Sequence, residues 1–331
     1  MMIFFLYLRE EWMEKARVFL WSKVLSRQRW AWVIILGLCL WSPQAQAGER
    51  IANMLSDGNG CVLLLTLDRN LYRFCPDDSR PQLQDQLPAR PFGAGLDRQE
   101  RLLLATDKGI FRKKKKDKQW ERIPGAPRGG AWIRCFPGLG CLTWVWSKGL
   151  YRIGTQGLQE MEQTGLPDSP VLDICQTADG SLWAAFFGSG VFCLRSGEER
   201  WQPANSGLSS RHVLALTRDS RNRLYVGTFG GGLQVLSPKE PSWQTVPSLQ
   251  AFDITAVALG PADEHRILAG TRKQGLWWSR DGGQTWTSET GITGTVSSLL
   301  WTGEKEALAA EESGVLYQRH GGARWRAITL R

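Results

Sequence analysis

Leu224-Tyr-Val-Gly-Thr-Phe-Gly-Gly-Gly-Leu-Gln-Val-Leu236 lies in the second half of the chain, and its reading decides the fold. A short apolar run ends in a glycine-rich turn, and a second apolar run follows. This is the pattern of two antiparallel strands around a tight hairpin, with glycine supplying the positive φ that the turn requires. Upstream, His212-Val-Leu-Ala-Leu-Thr217 reads as an inner strand and Asp219-Ser-Arg-Asn-Arg223 as a turn. Downstream, Pro238 to Pro241 is a further turn, and Trp243-Gln-Thr-Val246 is an outer strand. The unit is therefore a four-stranded antiparallel meander.

The unit recurs. A glycine followed by a short apolar strand appears at Gly109, Gly149, Gly190, Gly232, Gly275 and Gly314, with Asn70 in the first copy, at spacings of 39, 40, 41, 42, 43 and 39 residues. Eleven residues after the glycine stands Trp120, Trp201, Trp243, Trp286 or Trp325 in five of the seven copies. Seven repeats of this length, each built from short strands, predict a seven-bladed β-propeller with four antiparallel strands per blade. The timed tryptophans are expected to cover blade edges. Each blade is complete in sequence, so ring closure is expected from packing of blade 1 on blade 7.

The propeller accounts for residues 48–331 as one domain. Ahead of it, Trp30 to Trp41 is an apolar run of twelve, preceded by Arg27 and Arg29 and followed by Ala45-Gln46-Ala47. A basic flank, a short apolar core and small residues before a cut describe a secretory signal peptide spanning residues 1–47. As a helix the run would reach about 18 Å, short of a ~30 Å hydrocarbon core. Leu36-Gly37-Leu38-Cys39 lacks the small residue that a lipoprotein box needs before its cysteine. The stretch before Arg27 is long for a signal peptide, and translation from Met13 would shorten it. The protein is expected to be periplasmic or secreted and monomeric, with any membrane association peripheral.

The net charge of +9 falls to +6 without residues 1–47, which hold six basic and three acidic residues. Arg112 to Lys118 alone carries +5. One local run of this kind reads as a solvated hairpin tip and does not point to nucleic acid. The six remaining cysteines suit an oxidising compartment. Around the turn at Asp68-Arg69, Cys61 faces Cys75. Around Pro137-Gly138-Leu139, Cys135 faces Cys141. Both pairs are within bridging reach. Cys175 and Cys193 are separated by the strand that carries Trp183, which is too far for an unstrained bridge.

Ser279-Arg-Asp281-Gly-Gly283-Gln-Thr285-Trp286 resembles the Asp-box, or BNR repeat, at all its defining positions, and Gln318 to Trp325 resembles a decayed copy. The resemblance implies a turn organised by Asp281 on the face away from the usual active site. Blade 5 resembles the two-component-regulator propeller repeat. Stand-alone propellers similar to the whole chain include, distantly, photosystem-assembly factors of the Ycf48 type, which implies a scaffold.

Asp-box proteins include sialidases, but Arg122-Ile123-Pro124 lies in blade 2 where a sialidase would carry that motif in blade 1. The four tyrosines of the propeller, Tyr72, Tyr151, Tyr225 and Tyr317, all fall in strands. A glycosidase or lyase would need paired carboxylates, and Asp107, Asp168, Asp253, Glu311 and Glu312 are loop acids with no pairing visible in sequence. His212, His265 and His320 lack metal-ligand spacing, and no phosphate loop or cofactor motif is present. The expectation is a non-catalytic binder with no cofactor and no metal.

In a propeller, the loops between second and third strands share one face with the links between blades. Those loops carry Arg69, Lys108, Lys148, Phe229, Arg272 and Lys273, and the links add Arg128, Arg211 and His212. This mixed, net basic ring is expected to dock an acidic protein segment or an anionic glycan. The alternatives are a carbohydrate-active enzyme and a periplasmic small-ligand sensor.

Overall fold

The structure is a computed structural model, and it describes residues 49–113, 119–261, 264–321 and 324–330. The predicted signal peptide and most of the Arg112–Lys118 run lie outside these residues.

Seven four-stranded antiparallel sheets follow one another along the chain, each ordered first to fourth strand from a contiguous segment. The protein is thus a seven-bladed β-propeller. Blade 5 comprises Val213–Arg218, Leu224–Thr228, Gly232–Leu236 and Gln244–Thr245, with Val226 opposite both Leu216 and Gln234. Among the described residues the single helical turn is the 3-10 segment Pro247–Leu249, in the link to blade 6.

The repeat glycines have two reasons to be glycine. All six adopt positive φ, from 68° at Gly275 to 124° at Gly109. Several also meet the following link at close range: a Cβ on Gly232 would sit 2.4 Å from the Leu249 carbonyl oxygen. Blade 1 has no such glycine because its left-handed residue is one position earlier, at Arg69 (φ 67°), which frees position 70 for asparagine. The second strand ends in a buried threonine in four blades. The hydroxyls of Thr106, Thr228 and Thr271 donate to the carbonyls of Gly109, Gly232 and Gly275 at 2.7, 2.9 and 2.8 Å, which locks the hairpin that the glycine begins.

Apolar clusters fill the spaces between successive blades. The cluster between blades 3 and 4 joins Trp132, Trp144 and Leu150 to Ile174, Ala184 and Phe186. Two of the timed tryptophans staple such seams. Trp201 Nε1 donates to the Glu162 carbonyl at 3.0 Å, and Trp243 Nε1 to the Ala204 carbonyl at 2.7 Å, each reaching the preceding link. The ring closes by packing: Ile51, Met54, Leu64 and Phe74 of blade 1 share a cluster with Leu308, Leu316, Ile328 and Leu330 at blade 7.

Disulfides join Cys61 to Cys75 and Cys135 to Cys141. Trp183 pairs with Cys175 on one side and Cys193 on the other, and both these cysteines are free.

Candidate functional site

An antiparallel meander places its second-to-third turn and its exit link at the same end of the sheet. Arg69, Lys108, Arg128, Lys148, Arg211, His212, Phe229, Arg272 and Lys273 therefore all fall at one end of the propeller. The structure joins some of them and leaves others apart. In blades 4 to 6 a continuous patch forms. The His212 ring lies edge-on to Phe187 at 4.8 Å, and the Arg211 carbonyl accepts the N–H groups of Gly188 and Gly190. The Ser210 hydroxyl donates to the Phe229 carbonyl at 2.7 Å. Phe229 remains 37 % exposed, and the Arg272 guanidinium lies 5.4 Å from its ring centroid. A cation over an exposed ring fixes the guanidinium without neutralising it.

Asp253 organises this patch. Its Oδ1 accepts the Gly230 N–H at 2.8 Å, and its carbonyl accepts the Arg272 N–H at 3.0 Å. Lys273 is exposed beside Arg272. Arg69, Lys108, Arg128 and Lys148 are exposed and spread over blades 1 to 3. The Lys108 carbonyl is tied to Arg122 Nε at 3.0 Å, so that turn is braced by the following outer strand.

Among the described residues, none of Arg69, Lys108, Arg128, Lys148, Arg211, Arg272 and Lys273 forms an ion pair. Three of the acids on the same end are turned onto backbone N–H groups: Asp107 onto Arg90, Asp253 onto Gly230 and Glu311 onto Gly294. These acids serve three separate turns, and each has a structural partner. Sequence reasoning did not single out Arg90, in the link from blade 1 to blade 2, whose backbone N–H donates to the Asp107 carboxylate and whose carbonyl accepts the Asp107 N–H. Its position in a blade link was the available signal. Among the described residues no cluster of His, Cys, Asp or Glu could hold a metal ion.

The Asp-box turn lies between the third and fourth strands of blade 6, at the opposite end from this patch. Asp281 Oδ1 accepts the N–H groups of Gln284 and Thr285 and the Ser279 hydroxyl, at 3.0, 2.9 and 2.7 Å. Trp286 Nε1 donates to the Gly283 carbonyl at 3.0 Å. The side chains of Ser279, Asp281, Thr285 and Trp286 all bond within the turn, and the Gly282 N–H ties it to the His265 carbonyl at 2.9 Å.

The fold and site define a propeller of BNR type with a cationic loop face. Residues 75–320 match the family model described as photosynthesis system II assembly factor YCF48, and the chain belongs to that family. Solved structures with this fold include YCF48 bound to D1 peptide, 14% identical with a TM-score of 0.66, covering 85% of this chain and 96% of that one. YCF48 from Cyanidioschyzon merolae is also 14% identical, with a TM-score of 0.66 and coverage of 84% and 98%. The extracellular domain of the putative one component system BT4673 from B. thetaiotaomicron is 16% identical, with a TM-score of 0.68. The match covers 83% of this chain and only 38% of that one. A comparison with curated proteins gives no match.

Proposed function

We propose that the protein is an exported, non-catalytic scaffold or assembly factor that holds an acidic protein segment against the Arg211–His212–Phe229–Arg272–Lys273 patch. The observation that carries this reading is a set of basic side chains free of ion pairs, arrayed around an exposed aromatic ring on one end of the propeller. Uncompensated cations steer an acidic partner, and a partly exposed phenyl ring offers it an apolar anchor. Membership of a family with a peptide-bound solved structure supports a protein partner. The two disulfides support an oxidising compartment. The acids of this face that hold backbone N–H groups are not arranged as a catalytic pair, which supports a binding role over hydrolysis. The protein acts as a monomer in this reading.

The test is an affinity pull-down from the native envelope fraction with salt-gradient elution. A partner retained by the native protein and lost in Arg272→Glu/Lys273→Glu supports the reading, with an expected loss of at least about tenfold in affinity. Retention unchanged by the double reversal overturns the patch. The likeness to the BT4673 domain supports a second reading, a ligand-sensing propeller. Specific binding of an anionic glycan or small ligand in place of a protein would favour it.

A further inference from the structure

At the other end of the propeller, a cleft of about 620 Å³ opens between blades 2 and 3. It is bounded by the first turn of blade 2, the end of that blade's third strand, and the third strand and following turn of blade 3. Among the described residues four arginines line it, Arg98, Arg101, Arg112 and Arg152, against one acid, Asp97. A volume of this order suits a small ligand or a headgroup.

The single acid is already used. Asp97 Oδ1 accepts the N–H groups of Gln99 and Arg101, both at 2.9 Å, and Oδ2 accepts Arg101 Nε at 2.8 Å. Two of the other guanidiniums are held by neutral carbonyls. Arg98 Nη2 donates to Gly138 at 2.8 Å, and Arg112 Nη2 donates to Gly154 at 2.7 Å. A carbonyl fixes a guanidinium in place and leaves its charge uncancelled. Arg112 Nε is buried and has no hydrogen-bond partner among the described residues. The Arg152 side chain is exposed and makes no hydrogen bond or ion pair with the described residues. Burial, followed by the charge of Arg101, pushes the Arg112 guanidinium below its usual range. An anion in the cleft would relieve both effects.

We propose that this cleft binds a tetrahedral oxyanion, a phosphoryl or sulfuryl group, between Arg101, Arg112 and Arg152. The three side chains approach from three different backbone segments. A planar carboxylate satisfies one guanidinium fork in its own plane, whereas a tetrahedral group presents oxygens in several directions at once. Among the described residues no aromatic ring lines the cleft, so a stacked nucleobase has no platform there. The same chemistry can arrive as a soluble phosphate ester or as an anionic lipid headgroup.

Calorimetric titration of the full chain with inorganic pyrophosphate, at constant ionic strength and against acetate, tests the site. One saturable site per chain is expected, absent with acetate, weakened at least about tenfold in Arg152→Gln and unchanged in Lys239→Gln, an exposed residue in a turn of blade 5 outside both the cleft and the partner face. Arg152 is exposed, so its replacement leaves the fold intact. Sedimentation with vesicles of phosphatidylglycerol, against phosphatidylcholine alone, separates the sources. Binding to the anionic vesicles that Arg152→Gln abolishes identifies a headgroup, and pyrophosphate binding without vesicle binding identifies a soluble ester. The proposal is overturned by no saturable pyrophosphate binding, by equal binding of acetate, or by equal loss in both variants. The cleft and the proposed partner face lie at opposite ends, so either can fail alone.

Discussion

The carboxylate of Asp281 grips Thr285 twice, taking its backbone N–H at 2.9 Å on Oδ1 and its hydroxyl at 2.6 Å on Oδ2. These bonds, first the Thr285 hydroxyl and then its N–H, favour the ionised carboxylate and hold Asp281 well below the usual range. A depressed acid contributes stability above its unfolded value of about 3.9 and loses it as pH falls through the folded value. Asp281→Asn is therefore expected to melt below the native protein at neutral pH. The gap should narrow below about pH 4. Melting curves from pH 7 to pH 2 measure it, and a gap independent of pH would remove the ionised turn from the account.

Trp201 is 1 % exposed and bonded across the seam to the Glu162 carbonyl, whereas Trp286 is half-buried and bonded within its own turn. Replacing a fully buried tryptophan by alanine costs about 3–5 kcal/mol through lost burial and the cavity left behind. Trp201→Ala is expected in that range and Trp286→Ala below it. Urea unfolding of the two variants gives the comparison, and equal losses would contradict the seam role.

The two disulfides close loops of different length, with Cys61 and Cys75 separated by 14 residues and Cys135 and Cys141 by 6. Loop-closure entropy assigns about 3 kcal/mol to the longer loop and about 2 kcal/mol to the shorter. Cys61→Ser/Cys75→Ser should accordingly destabilise more than Cys135→Ser/Cys141→Ser under oxidising conditions. The reverse order in denaturant titrations would show that native packing, not loop length, sets the cost.

Burial pushes the thiols of Cys175 and Cys193 upward, Cys193 to about 11. The nucleophilic thiolate is thus scarce in the native protein at ordinary pH. Iodoacetamide at pH 8 should label neither cysteine in the folded chain and both after unfolding, as read by intact mass. Rapid native labelling would refute this.

The blades were legible because their glycines and tryptophans keep time, and each spacing fixes a strand register. The hairpin positions of Cys135 and Cys141 follow from the same register, with the two residues directly opposite across the turn. The face shared by Arg211, Phe229 and Arg272 is legible for the same reason: strand topology alone sends these loops to one end. The stacking of Arg272 on Phe229 and the organising role of Asp253 were not legible, since both join loops of neighbouring blades. The arginine cleft was less legible still. Arg101, Arg112 and Arg152 are separated in sequence, and each alone reads as an ordinary surface residue. Arg101 stands just before the second strand of blade 2 and Arg112 on the adjacent third strand, and the angle at which blade 3 follows brings Arg152 to the same space.

Blade 1 and blade 7 meet through side chains, with Ile51 and Leu330 in one apolar cluster and, among the described residues, no strand exchanged between their sheets. The order of the blades is therefore cyclic in a strict sense. A chain rewritten to start at the link between blades 4 and 5, with a tether joining residue 330 to residue 49, would break no sheet. Every strand ladder described here would survive the rotation. What a propeller of this kind inherits is the pitch from one blade to the next, and the position of its first blade is free to drift.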